Sequence, residues 1–293
     1  MYLYVCKIKQ RTVSIQLLST SYGKSAIRLM KLVKHLNWHE IKEVEVCTLF
    51  EGAFEEAHTL GDNSNVLPTD TQKNTVFALA KDHPLETIED FGLHLAKHFL
   101  DQNPQIHKVR IELSQKQWTQ ILDEGKPHPK AYQRGGNEKW NAVIEMTSEK
   151  TTVQSGISDL LILKTTDSGF SNFKRDALTT LKDTEDRIFA TNLAANWHYN
   201  KIDLDFAALR KSTQSIMLSA FANHKSLSVQ HTLYDMGKKV LDAVEQIQKI
   251  DLDMPNKHNL LVNLAPFKMT NDNEIFVVTD DPFGVIKGSL ERG

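Results

Sequence analysis

One order of hydrophobic periodicities runs twice along this chain, and that repetition narrows the possible folds more than any other feature. Ile27, Leu29 and Val33, then Val44, Val46 and Thr48, fall at strand-like spacings on either side of the turn-prone Asn37-Trp38-His39. The period then changes to that of a helix. Thr71 to Lys81 carries Val76, Leu79 and Ala80 inward with Thr69 or Asp70 as its cap. Thr87 to Asp101 carries Ile88, Phe91, Leu95 and Phe99 on one face, with Pro104 just beyond its end. Alternation returns at Ile106 to Trp118 and at Trp140 to Met146. The stretch between them, Asp123 to Lys139, is polar and contains Gly and Pro, so it reads as a loop.

The second half repeats the order. Thr152 to Lys164 and Arg187 to Tyr199 read as strands, Phe206 to Asn223 and Ser228 to Ile247 as helices, and 260–264 and 274–279 as closing strands. Such a pattern predicts a duplicated α+β unit, with helices on one face of an antiparallel sheet. The units span 21–148 and 149–293, after a leader of residues 1–20. The order repeats although the residues do not.

Composition sets the outer limits. At roughly 150 residues per domain, 293 residues make about two domains. A hydrophobic content of 40% is enough to bury a real core. With 35 basic against 37 acidic residues the net charge is −2, without the basic excess of a nucleic-acid binder. No run approaches the ~20 apolar residues that cross a bilayer. Cys6 and Cys47 are too few for a disulfide framework and are not spaced as a metal clip, so a reducing, cytosol-like compartment is expected. In the leader, Lys7, Lys9 and Arg11 precede an interrupted apolar stretch too short for a secretory signal. It reads as a poorly ordered leader or an extra edge strand, with a transit peptide as the alternative.

Three chemical motifs fail on inspection. Gly23-Lys24-Ser25 resembles the end of a phosphate-binding loop, but the glycine required five residues earlier is Leu18. His94 and His98 stand at i, i+4 as in a zinc helix, but Leu95 occupies the place of the catalytic glutamate, and no metal is expected there. No Gly-x-Ser-x-Gly elbow is present.

What remains is a series of polar motifs. They are Tyr22-Gly23-Lys24, Asp62-Asn63-Ser64, Thr69-Asp70 with Lys73-Asn74-Thr75, Gly125-Lys126-Pro127-His128-Pro129, Thr179-Thr180-Leu181-Lys182, Ser228-Val229-Gln230 and Pro255-Asn256-Lys257-His258. Singly, each has an ordinary explanation: Thr69 as a helix cap, Lys24 as a solvated charge, Gln230 as a first-turn residue, His258 as a strand-end histidine. Taken in order over residues 22 to about 288, the set resembles the urate oxidase (uricase) family. The chain departs from that pattern at Ser171-Asn172-Phe173-Lys174, which replaces a more apolar stretch. It also ends Glu291-Arg292-Gly293 without a peroxisomal Ser-Lys-Leu tripeptide, which implies a cytoplasmic protein.

The resemblance implies a tunnelling fold: tandem antiparallel-sheet and helix-pair units that assemble as a homotetramer into an oligomeric β-barrel around a tunnel. Sites would lie between subunits, with the elements bearing Lys24, Thr69 and Asp70 facing those bearing Phe170, Arg187 and Gln230. It also implies oxidation of urate by dioxygen and water to 5-hydroxyisourate and hydrogen peroxide, the first step of urate degradation, with no cofactor and no metal. On the same basis Phe170 stacks on the substrate and Arg187 and Gln230 read its two edges. Backbone N–H groups of Asp70 and Val229 complete the contacts. Lys24, Thr69 and His258 form a proton relay, and Asn256 with Thr69 holds dioxygen or water. Two alternatives stand beside this: another tunnelling-fold purine or pterin enzyme, and a catalytically inactive urate-binding protein.

Overall fold

The computed structural model describes residues 15–293, the side chain of Asp280 excepted, so most of the expected leader lies outside the described residues. Strand β1 (Tyr22–Lys34) turns back on β2 (His39–Gly52). A short helix α1 (Glu55–Thr59) leads to α2 (Thr69–Asp82) and α3 (Ile88–Gln102), and these to β3 (Ile106–Asp123) and β4 (Lys126–Thr147). The second half contributes β5 (Thr151–Lys164), β6 (Phe189–Tyr199), α4 (Phe206–Asn223), α5 (Val229–Ala243), β7 (Ile247–Asp253), β8 (Asn256–Leu261), β9 (Phe276–Gly284) and β10 (Lys287–Glu291).

The fold is α+β. Among the described residues ten strands form one sheet in the order β1-β2-β3-β4-β5-β6-β7-β10, antiparallel at every pairing, with β8 beside β6 and β9 beside β8. The sheet is open within the chain and is not closed into a barrel. Alternation puts Val44, Val46 and Phe50 of β2, Val109, Ile111 and Leu113 of β3, and Leu193, Ala195 and Trp197 of β6 into the core. Against them lie Phe91, Leu95 and Phe99 of α3 and Leu233, Met236 and Val240 of α5. The residues between these face away and pair as charges, as in Glu43 with Lys116 and Arg134, and Arg110 with Glu112 and Glu145. Among the described residues no helix is long and apolar enough to cross a membrane.

Several elements differ from the sequence expectation. The strands expected at 260–264 and 274–279 are the side hairpin β8 and β9, the main sheet is completed instead by β7 and β10, and α1 is an additional short helix. The polar stretch 123–139 is not a loop. Only Glu124 and Gly125 turn, both at positive φ (49° and 79°), and β4 pairs with β3 from Lys126 onward. Beyond the body of the sheet this ribbon is largely exposed, so it needs no apolar face and carries no alternation. The helix expected over Ser228–Ile247 ends at Ala243, and Ile247 opens β7. Val240, Leu241, Val244 and Ile247 continue a helical spacing through the change of element, which conceals it.

The two halves are locked together by buried charge. Glu89 in the first turn of α3 is fully buried and receives hydrogen bonds from Arg210 of α4 and from Ser155 of β5. The Arg210 guanidinium lies 4.8 Å from the Trp140 ring centroid. Removing one member leaves the other charged and unpaired in a dry interior. Arg210→Met should therefore cost about 3–5 kcal/mol. Urea unfolding that finds a loss under ~1 kcal/mol would contradict this role.

A second device occurs once in each half. His83 follows α2 and His224 follows α4, each four residues before the Thr87 or Ser228 cap of the next helix. Lys31 Nζ donates to Ala80 O (2.9 Å), Lys81 O (3.2 Å) and His83 O, and Lys164 Nζ donates to His224 O. The His83 ring meets His94 at 5.1 Å and the His224 ring meets His231 at 4.3 Å. Burial, chiefly, lowers the pKa of His83 and His224 below the ordinary 6.5, and Asp90, Glu86 and Asp235 offset this only in part. Below pH ~6.5 the unfolded chain then binds more protons than the folded one. Stability should be level above that pH and decline as pH falls through it. Replacing both residues, His83→Gln with His224→Gln, should flatten the upper part of the decline in thermal melts recorded from pH 8 to pH 5. An unchanged slope would contradict the assignment.

Candidate functional site

A cavity of about 550 Å³ opens where the chain between β5 and β6, the first turn of α5 and strand β8 converge. Its walls include Phe170, Arg187, Val229, Gln230, Asn256 and His258, six of the residues singled out from sequence.

Phe170 is held by a two-residue antiparallel bridge. Its N–H donates to Thr184 O (2.7 Å) and its carbonyl accepts from Thr184 N (3.0 Å). The unusual stretch Ser171–Lys174 packs on it. Phe173 stacks on Phe170 at 4.9 Å and 8°, and the Arg175 guanidinium lies 4.6 Å from the Phe173 centroid. Arg175 also ties the far side of this loop, donating to Leu181 O (3.0 Å) and to Asp183 Oδ2 (2.9 Å). Just before β6, Arg187 places its guanidinium 5.6 Å from the Phe170 centroid. Its Nε is buried without a partner among the described residues, and burial lowers its pKa from the ordinary value. An arginine stays charged through such a shift, so a buried, unsatisfied donor belongs to a charged residue of the cavity wall.

Helix α5 supplies more donors. Ser228 caps it, its Oγ accepting from His231 N (3.1 Å), and the first helical bond runs from Thr232 N to Ser228 O (3.2 Å). The N–H groups of Val229 and Gln230 therefore have no acceptor inside the helix. Asn256 and His258 stand two residues apart on β8, and both line the cavity. The side chains of Gln230, Asn256 and His258 make no hydrogen bonds to other described residues.

Lys24, Thr69 and Asp70 do not line this cavity. They form a second cluster where β1 meets the start of α2. Thr69 is not the cap of α2. Pro68 stands at the cap position with no side-chain bond, and Thr69 Oγ1 makes no hydrogen bond to other described residues. Asp70 is exposed, bonded by Lys73 Nζ and by Asn74 Nδ2 (3.0 Å). The Lys73 bond holds its carboxyl below the usual range, and the charge of Lys24 adds to this. Gly23 is not part of a phosphate loop but lies within β1, where a Cβ would stand 1.7 Å from Thr48 O. Four strands separate β1 from β6, so at ~4.8 Å per strand the two clusters lie on the order of 20 Å apart across the sheet. One small molecule cannot touch both within a chain.

Of the i, i+4 pair on α3, His94 meets the His83 ring at 5.1 Å and His98 meets the Phe99 ring edge-on at 5.9 Å. Some wall residues went unnoticed in the sequence, among them Thr184, Ile188, Leu260 and Ile286. Nothing in their local pattern marks them. Outside the cavity, beside Lys24, two residues did carry a signal. Thr48 and Gln72 are polar residues at inward positions of otherwise apolar stripes, and both are fully buried.

An open antiparallel sheet with paired helices on one face, and a pocket between a bridged loop and a helix start, define a tunnelling-fold protein. Comparison with known proteins agrees. A family model described as Uricase matches residues 20–145 and 153–287. The uricase of Arthrobacter globiformis is 41% identical over 271 residues, covering 92% of this chain and 88% of its own length. That of Dictyostelium discoideum is 35% identical over 279 residues, covering 94% and 97%. The crystal structure of the Arthrobacter globiformis uricase superposes with a TM-score of 0.90 at 40% identity, over 96% of each chain. The chain belongs to the uricase family.

The orphaned Arg187 donor has a consequence for stability. An unsatisfied buried group costs roughly 1–3 kcal/mol, less where water reaches it in part. Arg187→Met should raise ligand-free stability by about 1 kcal/mol, the usual sense of a trade between stability and function. A lowered melting temperature would indicate that Arg187 serves packing instead.

Proposed function

We propose that this chain is a urate oxidase that works without a cofactor, converting urate, dioxygen and water to 5-hydroxyisourate and hydrogen peroxide. The observation that carries the reading is the convergence of Phe170, Arg187, Val229, Gln230, Asn256 and His258 on one cavity. Membership of the uricase family supports the substrate class.

Urate is flat, anionic and ringed with carbonyl and N–H groups. The purine ring packs on Phe170 at the cavity wall, where stacking adds on the order of 1 kcal/mol beyond burial, with Phe173 stacked on Phe170 and the Arg187 guanidinium 5.6 Å from its centroid. The Arg187 fork meets a carbonyl oxygen and an ionised ring nitrogen side by side, relieving its unpaired Nε. The Gln230 amide offers a donor and an acceptor to the opposite edge, and Val229 N–H reaches a carbonyl. A purine lacking those oxygens leaves these groups unsatisfied and is rejected for that reason.

Lys24, Thr69 and Asp70 enter from a second copy of the chain, because they cannot reach the cavity within one. The sites then lie between subunits of a homotetramer, and the open edges at β1 and β10 support such an assembly. The division into units of 21–148 and 149–293 belongs to the same proposal: each unit brings half of a site. A reducing, cytosol-like compartment suits it, with Cys47 unpaired.

With urate bound, the Thr69 hydroxyl accepts one proton and passes another, Lys24 sets its readiness, and His258 continues the relay. Asn256 holds dioxygen above the ring. The deprotonated ring is electron-rich enough to transfer electrons to dioxygen directly. In balance, urate loses two electrons, dioxygen takes two electrons and two protons to leave as hydrogen peroxide, and the oxygen of water remains on the ring as the new hydroxyl.

The test is the ultraviolet absorbance of urate with dialysed, chelator-treated protein, in air and without oxygen. Loss of urate only in air, with an equivalent of peroxide, is expected. Bound urate that persists in air would instead identify an inactive binding protein. Thr69→Ala should lower kcat by roughly 10²–10⁴-fold with urate affinity nearly unchanged. A large loss of binding at normal kcat would remove Thr69 from the relay.

A further inference from the structure

We propose that Thr48 and Gln72 are positioning residues that hold Lys24 in register with the turn bearing Thr69 and Asp70. The inference rests on the reading just given, in which Lys24 and Thr69 act together.

Thr48 lies on the inward face of β2 in the series Val44, Val46, Thr48, Phe50, and Gln72 on the inward stripe of α2 with Val76 and Ala80. Both are fully buried in apolar surroundings, where valine and methionine would fit the same space without a polar group to satisfy. Their hydrogen bonds form one chain between the two catalytic segments. Thr48 Oγ1 accepts from Lys24 N (3.2 Å) and donates to Gln72 Oε1 (2.7 Å), and Gln72 Nε2 donates to Leu67 O (3.2 Å), two residues before Thr69. Tyr22, also on β1, closes the loop. Its hydroxyl accepts from Leu67 N (2.9 Å) and donates to Leu67 O (3.3 Å).

The backbone near Lys24 needs such a tether. Regular pairing of β1 with β2 breaks between Lys24 and Ile27, where Ala26 adopts φ 54°, so the Thr48 side chain supplies a bond to Lys24 at the break. The missing Cβ of Gly23 allows the two strands to approach closely enough for it. On the other side, α2 has no side-chain cap to fix its first turn. Gln72 therefore ties the entry of that helix to the strand that carries the lysine. A buried polar chain of this kind specifies geometry more than it stabilises.

The test is Thr48→Val and Gln72→Met, each in the full-length protein, beside Thr48→Ser as the conservative control. A misplacement near 1 Å costs up to about a hundredfold, so kcat should fall roughly ten- to a hundredfold in the first two variants. The KM for urate should stay within about threefold, because the stacking and edge-reading groups belong to the other cluster. The pH at which kcat is half-maximal should move, and Thr48→Ser should restore the parent rate and profile. Thr48→Val, which strands Gln72 Oε1 and Lys24 N–H, should lower the melting temperature more than Gln72→Met, after which the Thr48 hydroxyl can still donate to Lys24 O (3.4 Å). Should one apolar variant fail to fold, the other carries the same measurement. Parent-like kcat and pH profile in Thr48→Val or Gln72→Met, while Thr69→Ala is impaired, would overturn this proposal alone. If the parent protein consumes no urate, or Thr69→Ala turns over normally, the underlying reading fails and this one with it.

Discussion

Everything in this molecule depends on one continuous antiparallel sheet whose helix-side face must be kept dry. The strands in the body of the sheet alternate inward and outward, and their inward residues meet the helices. The two halves share that sheet through the β4–β5 pairing, so neither half completes its core alone. The buried Glu89–Arg210 pair sits across the same junction. Its worth lies less in net energy than in setting one relation between the α3 and α4 layers, since a mismatch there would strand a charge.

The sheet also dictates where chemistry is possible. Strand pairing moves residues apart by nearly 5 Å per strand, so groups at β1 and at β6 and β8 cannot converge in one chain. Two polar clusters result, each with groups left uncommitted: Arg187 Nε beside the cavity, and the Thr69 hydroxyl at the start of α2. Such groups are costly in an isolated chain and useful only where something else satisfies them. The chain of bonds through Thr48 and Gln72 belongs to this economy. It spends buried polarity to fix a strand and a helix start whose own regular bonds lapse there.

Some of this was legible in the sequence because it rests on local rules. The helix pair after β2 was readable from the Val76, Leu79, Ala80 and Phe91, Leu95, Phe99 spacings, and the strands from Val44 to Thr48 and Val109 to Leu113. The ribbon through Lys126 was not, because an exposed pair of strands needs no apolar face and its Gly and Pro mimic a loop. The end of α5 was hidden because Val244 and Ile247 fit both the helix and the strand that follows. Residues Phe170, Arg187, Gln230, Asn256 and His258 were identified by family resemblance, and local pattern alone left each with an ordinary explanation. Thr48 and Gln72 were visible as polar breaks in apolar stripes, a signal that says a residue is special without saying for what.

The sequence by itself determined the α+β class, the doubled order of elements and the family, because periodicity and motif order survive without coordinates. The tertiary structure alone decided which distant residues meet. It placed Asn256 and His258 of β8 against Phe170 and Arg187, and kept Lys24 and Thr69 away from them. The physical reason is that sheet order is set by pairing between strands remote in sequence, and no local propensity encodes which edge of the sheet a side chain will reach.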